Sequence, residues 1–373
     1  MKQLSGNPHN INNDILGRVT FKRKNFFSRS NGILVQSNSK SGCFGYRAII
    51  TNDHTIEGTI PSMTNVDISQ LSEGDVILIN KKGEIVVLYE KNSLQNVIMA
   101  TELCNHRCIM CPQPPVAKEQ DKTQLNLKLI SLFDKDTTEV GISGGEPTMI
   151  GDKLFSLIKM IQKHCPKAAI TILSNGTRFA VKDYTLKLAL CNHPDLQIDI
   201  PLFSDIASLH NHIVGANTFY KTVQGLYNLA LANQKVGIRV VIHKQTYHRL
   251  VYLADFIYHN FPFVTQVAFM EMETIGMAER NIRELWIDPY DYNEELKQAV
   301  LLLNDRGIRP LIYNAQLCVL DPVIRRFAVQ SISDWKDIYL PECKDCLLKS
   351  ECAGFFESNR SIHSKHINPK PGS

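Results

Sequence analysis

Seven of the ten cysteines in this chain fall into two groups. The first is a short loop, Cys104-Asn105-His106-Arg107-Cys108-Ile109-Met110-Cys111, with spacing C-x3-C-x2-C. A four-iron cluster takes one ligand per iron, and proteins usually supply four thiolates. This loop supplies three, and the next cysteine is Cys165. A cluster held here keeps one iron open to a small molecule, as a catalytic metal keeps a vacant position. A zinc site fits less well, because zinc knuckles come as paired C-x2-C. The second group is Cys343, Cys346 and Cys352 in C-x2-C-x5-C, with Cys318 upstream as a fourth candidate. Four thiolates close a metal, and both zinc and iron–sulfur suit that set. Cys43, Cys165 and Cys191 stand alone and read as buried apolar residues.

A further segment with chemical potential is Ile142-Ser143-Gly144-Gly145-Glu146-Pro147. Two glycines let a backbone approach a ligand closely or take positive φ. A carboxylate follows, then a proline that sets the turn. A Gly-Gly pair alone is usually only a turn; this one, like the cysteine loop, follows a strand-type run. His243, Lys244, Glu271 and Glu273 lie near expected strand ends, where each reads equally well as a polar rim residue or a wall of a site.

These loops need a frame that aims them at one place. From Asn96 the pattern alternates between strand and helix. Strands are expected at 96–100, 140–143, 168–173, 196–202, 236–242 and 264–272. Helices are expected at 125–133, 152–164, 183–190, 217–233 and 249–259, with an apolar stripe at Leu296, Ala299, Val300 and Leu303. Gly307 stands where a helix end wants a left-handed residue. Six strand-then-helix units predict an α/β fold, a parallel partial (βα)6 barrel whose sites lie at the C-terminal strand ends. After Arg309 the alternation is expected to stop.

The expected domains are a β-rich N-terminal domain over 1–92 and the partial barrel over 93–307. A cysteine-rich extension over 308–358 and a disordered basic tail over 359–373 follow. Residues 1–14 are polar and Asn-rich and read as disordered. The runs Val76–Ile79 and Glu84–Tyr89 around Lys81-Lys82-Gly83 predict a β-hairpin. No apolar h-region precedes the core, and no apolar run is long enough to span a bilayer, so a soluble cytoplasmic protein is expected. In that reducing compartment the cysteines are expected to bind metal or react, not to pair as disulfides.

The net charge of +4 hides an asymmetry: seven basic and no acidic residues lie between Ile15 and Asn52 (Arg18, Lys22, Arg23, Lys24, Arg29, Lys40, Arg47). Such a stretch meets an acidic peptide, a phosphate backbone or simply water.

Together, the three-cysteine loop and the Gly-Gly-Glu-Pro element resemble the radical S-adenosylmethionine (SAM) superfamily. The resemblance implies a [4Fe–4S] cluster on Cys104, Cys108 and Cys111, with the amino and carboxylate groups of SAM on its open iron. It implies that Gly144, Gly145, Glu146 and Pro147 meet the amino group and that Ser174 and Asn175 lie along the ribose. Ile200-Pro201-Leu202, Val240-Val241-Ile242 and Glu273-Thr274-Ile275-Gly276 would be walls. The family often has an aromatic residue before the third cysteine, where this chain has Met110. The implied chemistry is reductive cleavage of SAM to a 5′-deoxyadenosyl radical that takes hydrogen from a substrate.

The later cysteines resemble the family's SPASM/twitch-like extension, which implies one auxiliary iron–sulfur cluster on Cys318, Cys343, Cys346 and Cys352. Phe356 stands where the larger two-cluster form has a further cysteine. A narrower likeness, to the C-type maturase of His-Xaa-Ser peptide systems, rests on Cys111-Pro112-Gln113-Pro114-Pro115, on Ser331 to Leu340 leading into Glu342-Cys343, and on Cys352 to Ser358. It implies a peptide or protein substrate with His-Xaa-Ser repeats, a second radical SAM maturase as partner, and an electron donor such as flavodoxin or ferredoxin. No membrane partner is expected. Two rivals stand beside it: an RNA-modifying radical SAM enzyme, suggested by the basic stretch, and a non-enzymatic metal-stapled peptide-binding module.

Overall fold

The computed structural model describes residues 2–36, 43–54, 59–330 and 338–370. Its contacts group into two compact units. One contains residues 1–99, 121–141 and 156–170; the other contains 100–120, 142–155 and 171–373.

The first unit holds a mixed sheet of β1 (Gln3–Ser5), β2 (Asn7–His9), β3 (Ile15–Thr20), β4 (Gly32–Val35), β5 (Ala48–Ile50), β6 (Ser62–Thr64), β7 (Val76–Ile79) and β8 (Glu84–Tyr89). Their order is β1-β8-β7-β3-β4-β5-β6-β2. Strand β4 shows why its sequence is apolar throughout. Side chains alternate across a sheet, and both of its faces are buried: Ile33 and Val35 join one core with Ile50, Met63, Ile77 and Ile79, while Leu34 joins another with Cys43, Tyr46 and Ile49. The expected hairpin forms as β7–β8, with Gly83 at φ 84° in its turn. Tyr89 stacks on Phe133 at 4.4 Å, and Arg18 donates to the Leu132 carbonyl, so residues 121–141 pack with this sheet. Against the expectation for the first fourteen residues, the described ones from Lys2 on are ordered: β1 pairs with β8, and β2 with β6. Backbone hydrogen bonds hold a polar segment that has little apolar surface of its own.

The second sheet is a curled parallel half-barrel in chain order: β9 (Gln95–Met99), β10 (Glu139–Ser143), β11 (Ala169–Leu173), β12 (Leu196–Pro201), β13 (Lys235–Ile242), β14 (Gln266–Glu271), β15 (Arg309–Tyr313) and β16 (Ala328–Val329). Its helices include α1 (Thr123–Ile130), α2 (Lys153–His164), α3 (Lys182–Ala189), α4 (Ala207–Val214), α5 (Phe219–Leu231) and α6 (Leu250–Asn260). The later ones are α7 (Met277–Arg280), α8 (Ile282–Leu285) and α9 (Asn293–Asp305). The expected apolar stripe of α9 is buried. Its end is a Schellman turn: Gly307 sits at φ 77°, and Ile308 N–H returns to Leu303 O at 3.0 Å.

Two expectations are corrected here. The alternation does not stop at Arg309, because β15 adds a seventh strand parallel to β14 and the two-residue β16 an eighth. Pro310 sits at its second residue, near the start where the ladder tolerates proline. The tail is not disordered up to residue 370. Ser364 is buried, His366 stacks on Tyr290 at 3.8 Å, and the Lys370 backbone bonds Leu347. Ser331 to Asp337, part of the narrower resemblance, lie outside the described residues. Among the described residues, no helix is long and apolar enough to cross a membrane.

Candidate metal and cofactor site

The cysteine loop follows β9 and is held from several sides within the second unit. Gly145 N–H donates to Thr101 O at 2.7 Å, and Glu146 N–H to Leu103 O at 2.8 Å. A Cβ on Gly144 would collide with the Thr101 carbonyl, and one on Gly145 with that of Leu103. This is why two glycines are needed here. Neither takes positive φ, so their freedom serves close backbone approach. The end of α4 supplies the next support: Val214 O accepts from Arg107 N–H and Ile213 O from Ile109 N–H, both at 2.9 Å. Gly215, at φ 62°, turns the chain where a Cβ would come within 2.6 Å of Arg107 O. On the far side, Met277 N–H donates to Cys111 O at 2.8 Å, and Asn281 Nδ2 to Ile109 O at 2.8 Å.

Side chains complete the frame. Asn175 Nδ2 donates to Asn105 Oδ1 at 2.7 Å, and Asn105 Nδ2 to Thr177 Oγ1 at 3.1 Å. His106 is buried, 3.0 Å from Thr218 Oγ1, and burial lowers its pKa to about 4, so the ring stays neutral. The supports Thr177, Gly215, Thr218 and Asn281 have no motif of their own; only folding brings them to the loop.

Glu146 is a buried joint. Its Oε1 accepts from Thr148 N–H (3.0 Å), Thr148 Oγ1 (2.6 Å) and Ser174 Oγ (2.8 Å), and its Oε2 from Asn175 N–H (2.6 Å). Burial raises its pKa while these donors oppose the shift. The carboxylate therefore ties the Gly-Gly turn to the Ser174–Asn175 segment and, through Asn175, to the cysteine loop. Pro147, buried behind it, starts the short turn that carries Thr148.

The donor set suits an iron cluster. Burial raises the pKa of all three loop thiols, Cys108 up to about 12; Cys111 and Cys104 add to the effect at Cys108, and Glu146 and Cys111 at Cys104. Packing three thiolates together requires a cationic centre to deprotonate and hold them. Cys104 Sγ already accepts a hydrogen bond from His106 N–H at 3.4 Å. Met110 is buried with Phe203, Ile213 and Met272, closing one side with apolar surface.

The later cysteines converge as well. Cys318, Cys343, Cys346 and Cys352 line one pocket with Gln316, Tyr339 and Phe355. Cys352 Sγ accepts from Gly354 N–H at 3.5 Å, and Cys346 Sγ from Lys370 N–H at 3.4 Å. Among the described residues, no three Cys, His, Asp or Glu side chains are drawn tightly enough to hold a single ion.

Of the candidate wall residues, Lys244 is exposed, Glu273 is half-buried, and His243 and Glu271 are buried. Glu271, at the end of β14, accepts from Gln316 Nε2 at 3.2 Å on one oxygen; the other is buried without a protein partner. Burial pushes its pKa up to about 8, with nearby Asp288 adding to the effect, so it is mostly a neutral acid at pH 7. It faces a cavity walled by Trp286, Tyr292 and Phe355.

Comparison with known proteins agrees with this geometry. Residues 98–257 match the model of the radical SAM superfamily. The chain carries a radical SAM superfamily domain. That superfamily is enzymatic and implies a [4Fe–4S] cluster and SAM. It is similar to a GTP 3′,8-cyclase of Desulforamulus reducens, 25% identical over 197 residues, which span 50% of this chain and 58% of the cyclase. Native anSMEcpe, solved with AdoMet and the Kp18Cys peptide, shares the fold at a TM-score of 0.52 and 16% identity, over 75% of this chain and 92% of that one. SuiB of Streptococcus suis, solved with S-adenosylmethionine, aligns at a TM-score of 0.48 and 18% identity, over 60% of this chain and 50% of that one.

Proposed function

We propose that this radical SAM enzyme modifies a ribosomally made peptide or protein. The observation that carries the reading is the cysteine loop: three thiols on one segment at the end of the first barrel strand, with the loop backbone fixed from several sides. A [4Fe–4S] cluster and SAM bound there would supply a 5′-deoxyadenosyl radical able to take hydrogen from an unactivated carbon. Cys104, Cys108 and Cys111 would hold the cluster. Gly144 to Pro147, with Ser174 and Asn175, would form the rim that meets SAM. Because Glu146 and Asn175 spend their side-chain groups on the frame, the backbone of this rim is what remains to meet the cofactor. The apolar packing around Met110 would exclude water from the reacting carbon.

A peptide substrate is supported by the fold shared with anSMEcpe, which was solved holding a peptide. The His-Xaa-Ser maturase reading narrows this to a substrate with His-Xaa-Ser repeats, acting with a second radical SAM maturase and a flavodoxin- or ferredoxin-type electron donor. The cavity ringed by Cys318, Cys343, Cys346 and Cys352 supports an auxiliary iron–sulfur cluster over zinc. A polyatomic cluster spaces its thiolates around a volume, whereas zinc draws four sulfurs to about 2.3 Å from one point. The likeness to the cyclase favours a second reading, a nucleotide substrate.

The test is anaerobic reconstitution with iron and sulfide, reduction, and assay of 5′-deoxyadenosine. Failure of the iron-loaded protein to form it would reject the activity. A mass shift on a co-expressed His-Xaa-Ser peptide, absent with Cys104→Ala, is the expected sign of the peptide reading. Conversion of GTP with no shift on the peptide would favour the nucleotide reading instead.

A further inference from the structure

Two opposite charges stand on one face of the parallel sheet, Asp199 on β12 and Arg239 on β13. Side chains alternate across a strand, so Gly237, Arg239 and Val241 share a face. Val241 packs against the cluster of Met110, Phe203 and Met272, and Cys108 packs against the same cluster. At about 3.3 Å per residue, Arg239 begins about 7 Å along the strand from Val241. The pair thus lies on the same sheet face as the apolar support of the cysteine loop. Asp199 and Arg239 act on each other through space. Among the described residues, neither is the other's hydrogen-bond partner.

Neither group is satisfied by protein. A guanidinium carries five N–H donors. Among the described residues, the hydrogen bond Arg239 makes with them goes to Met270 Sδ at 3.3 Å, a weak acceptor. Asp199 accepts on Oδ1 from Gln197 Nε2 at 2.7 Å, and among the described residues no donor reaches Oδ2. Gly237 makes the room, since a Cβ there would stand 2.2 Å from Asp199 Oδ1. Asp199 is buried and Arg239 half-buried. Burial raises the pKa of Asp199 against the pull of Gln197 and Arg239, and lowers that of Arg239 against Asp199 and Tyr313. Arg309, in the row of Gly237 two strands on, is exposed and shifts neither. A loose buried pair is a poor brace, because desolvation outweighs its attraction. Unmet donors beside an unmet acceptor suit a ligand instead.

Charge selects the ligand. The pair carries one charge of each sign, so a carboxylate or an ammonium group would leave one charge uncompensated in a partly buried place. A neutral group with an acceptor beside a donor leaves none, and an amide is such a group. We propose that Asp199 and Arg239 form a substrate subsite that takes a neutral amide, its carbonyl oxygen accepting from the Arg239 guanidinium and its N–H donating to Asp199 Oδ2. On the reading that the substrate is a peptide, on which this occupant rests, the group is one of its backbone or side-chain amides. Asp199 and Arg239 are then positioning residues that orient the chain for the radical step.

The test has two arms on the full-length, iron-loaded protein with SAM. In the first, saturation-transfer NMR follows N-acetylglycinamide, acetate and guanosine. The amide should take up saturation and acetate should not. Arg239→Met should abolish the amide signal, and Asp199→Asn, which leaves one cation, should turn the preference to acetate. The double variant Asp199→Asn/Arg239→Met should bind neither and unfold at the parent's temperature or above. In the second arm, a His-Xaa-Ser repeat peptide is supplied under reduction. The ratio of modified peptide to 5′-deoxyadenosine should fall about tenfold or more in either single variant, because a misplaced substrate wastes the radical. No amide signal, acetate bound equally by the parent, or an amide signal indifferent to both variants would overturn the subsite. So would a lower unfolding temperature in all three variants with selectivity unchanged, which would make the pair a brace. A guanosine signal stronger than the amide's and lost in the same variants would overturn it in favour of a nucleobase. The expected amide selectivity with no mass shift on the peptide would reject the peptide reading and leave the subsite standing.

Discussion

Glu146 and Glu271 are both buried carboxyl groups, but their partners give them different roles. Glu146 receives four hydrogen bonds from three neighbours and joins two loops. Glu146→Gln would turn one acceptor into a donor facing N–H and O–H groups. It should cost on the order of 1–3 kcal/mol of stability, read by denaturant unfolding, and should lower iron retention because the cysteine loop loses its tie through Asn175. Among the described residues the Glu271 carboxyl accepts from Gln316 alone, and burial raises its pKa from 4.5 to about 8. Between those values the folded protein keeps a proton that the unfolded chain has released, so stability falls as pH rises. The contribution is complete below about pH 4.5 and lost once pH passes about 8, with a slope of at most about 1.4 kcal/mol per pH unit. Glu271→Gln should remove that slope, so the variant should gain on the parent across this window in unfolding measured at a series of pH values. A parallel pair of profiles would refute the assignment.

The elements matter for how they buttress the loop. Helix α4 escaped the sequence reading because its stripe is short and lies within a polar run. It nevertheless supplies two carbonyls to the cysteine loop and ends in Gly215. Gly215 and Gly307 make a controlled comparison, since both adopt positive φ but only Gly215 has a backbone carbonyl where a Cβ would go. Gly307→Ala should cost about 1 kcal/mol for the left-handed conformation alone. Gly215→Ala should cost clearly more, about 2–4 kcal/mol with overpacking, and should also lower cluster occupancy. Thermal unfolding together with the iron-to-protein ratio distinguishes these outcomes.

For the whole molecule, the two cysteine groups should behave as separable sites. Cys343→Ala should reduce bound iron by about one cluster's share while leaving SAM cleavage measurable. Cys104→Ala should abolish cleavage and leave the other site's iron in place. Zinc in place of the second share of iron would revise the auxiliary site. If either single variant removed all the iron, the sites would not be independent.

Much of this was legible in the chain itself. Cysteine spacing, the Gly-Gly-Glu-Pro turn and the alternation of strand and helix are local patterns, set by ligand count, backbone sterics and side-chain periodicity. The radical SAM domain and the half-barrel follow from them. The polar first residues, the seventh strand at Arg309–Tyr313 and the packed tail were misread because their order comes from hydrogen bonds and stacking with distant segments. The same holds for the duties of the motif residues. Sequence could mark Gly144, Gly145 and Glu146 as unusual, but only the tertiary structure shows the glycines meeting Thr101 and Leu103 and the carboxylate gripping Ser174 and Asn175. Spacing along the chain determines which atoms can bind a metal. The groups that hold those atoms still come from strand ends and helix ends far away in sequence, and only the closed fold decides which of them meet.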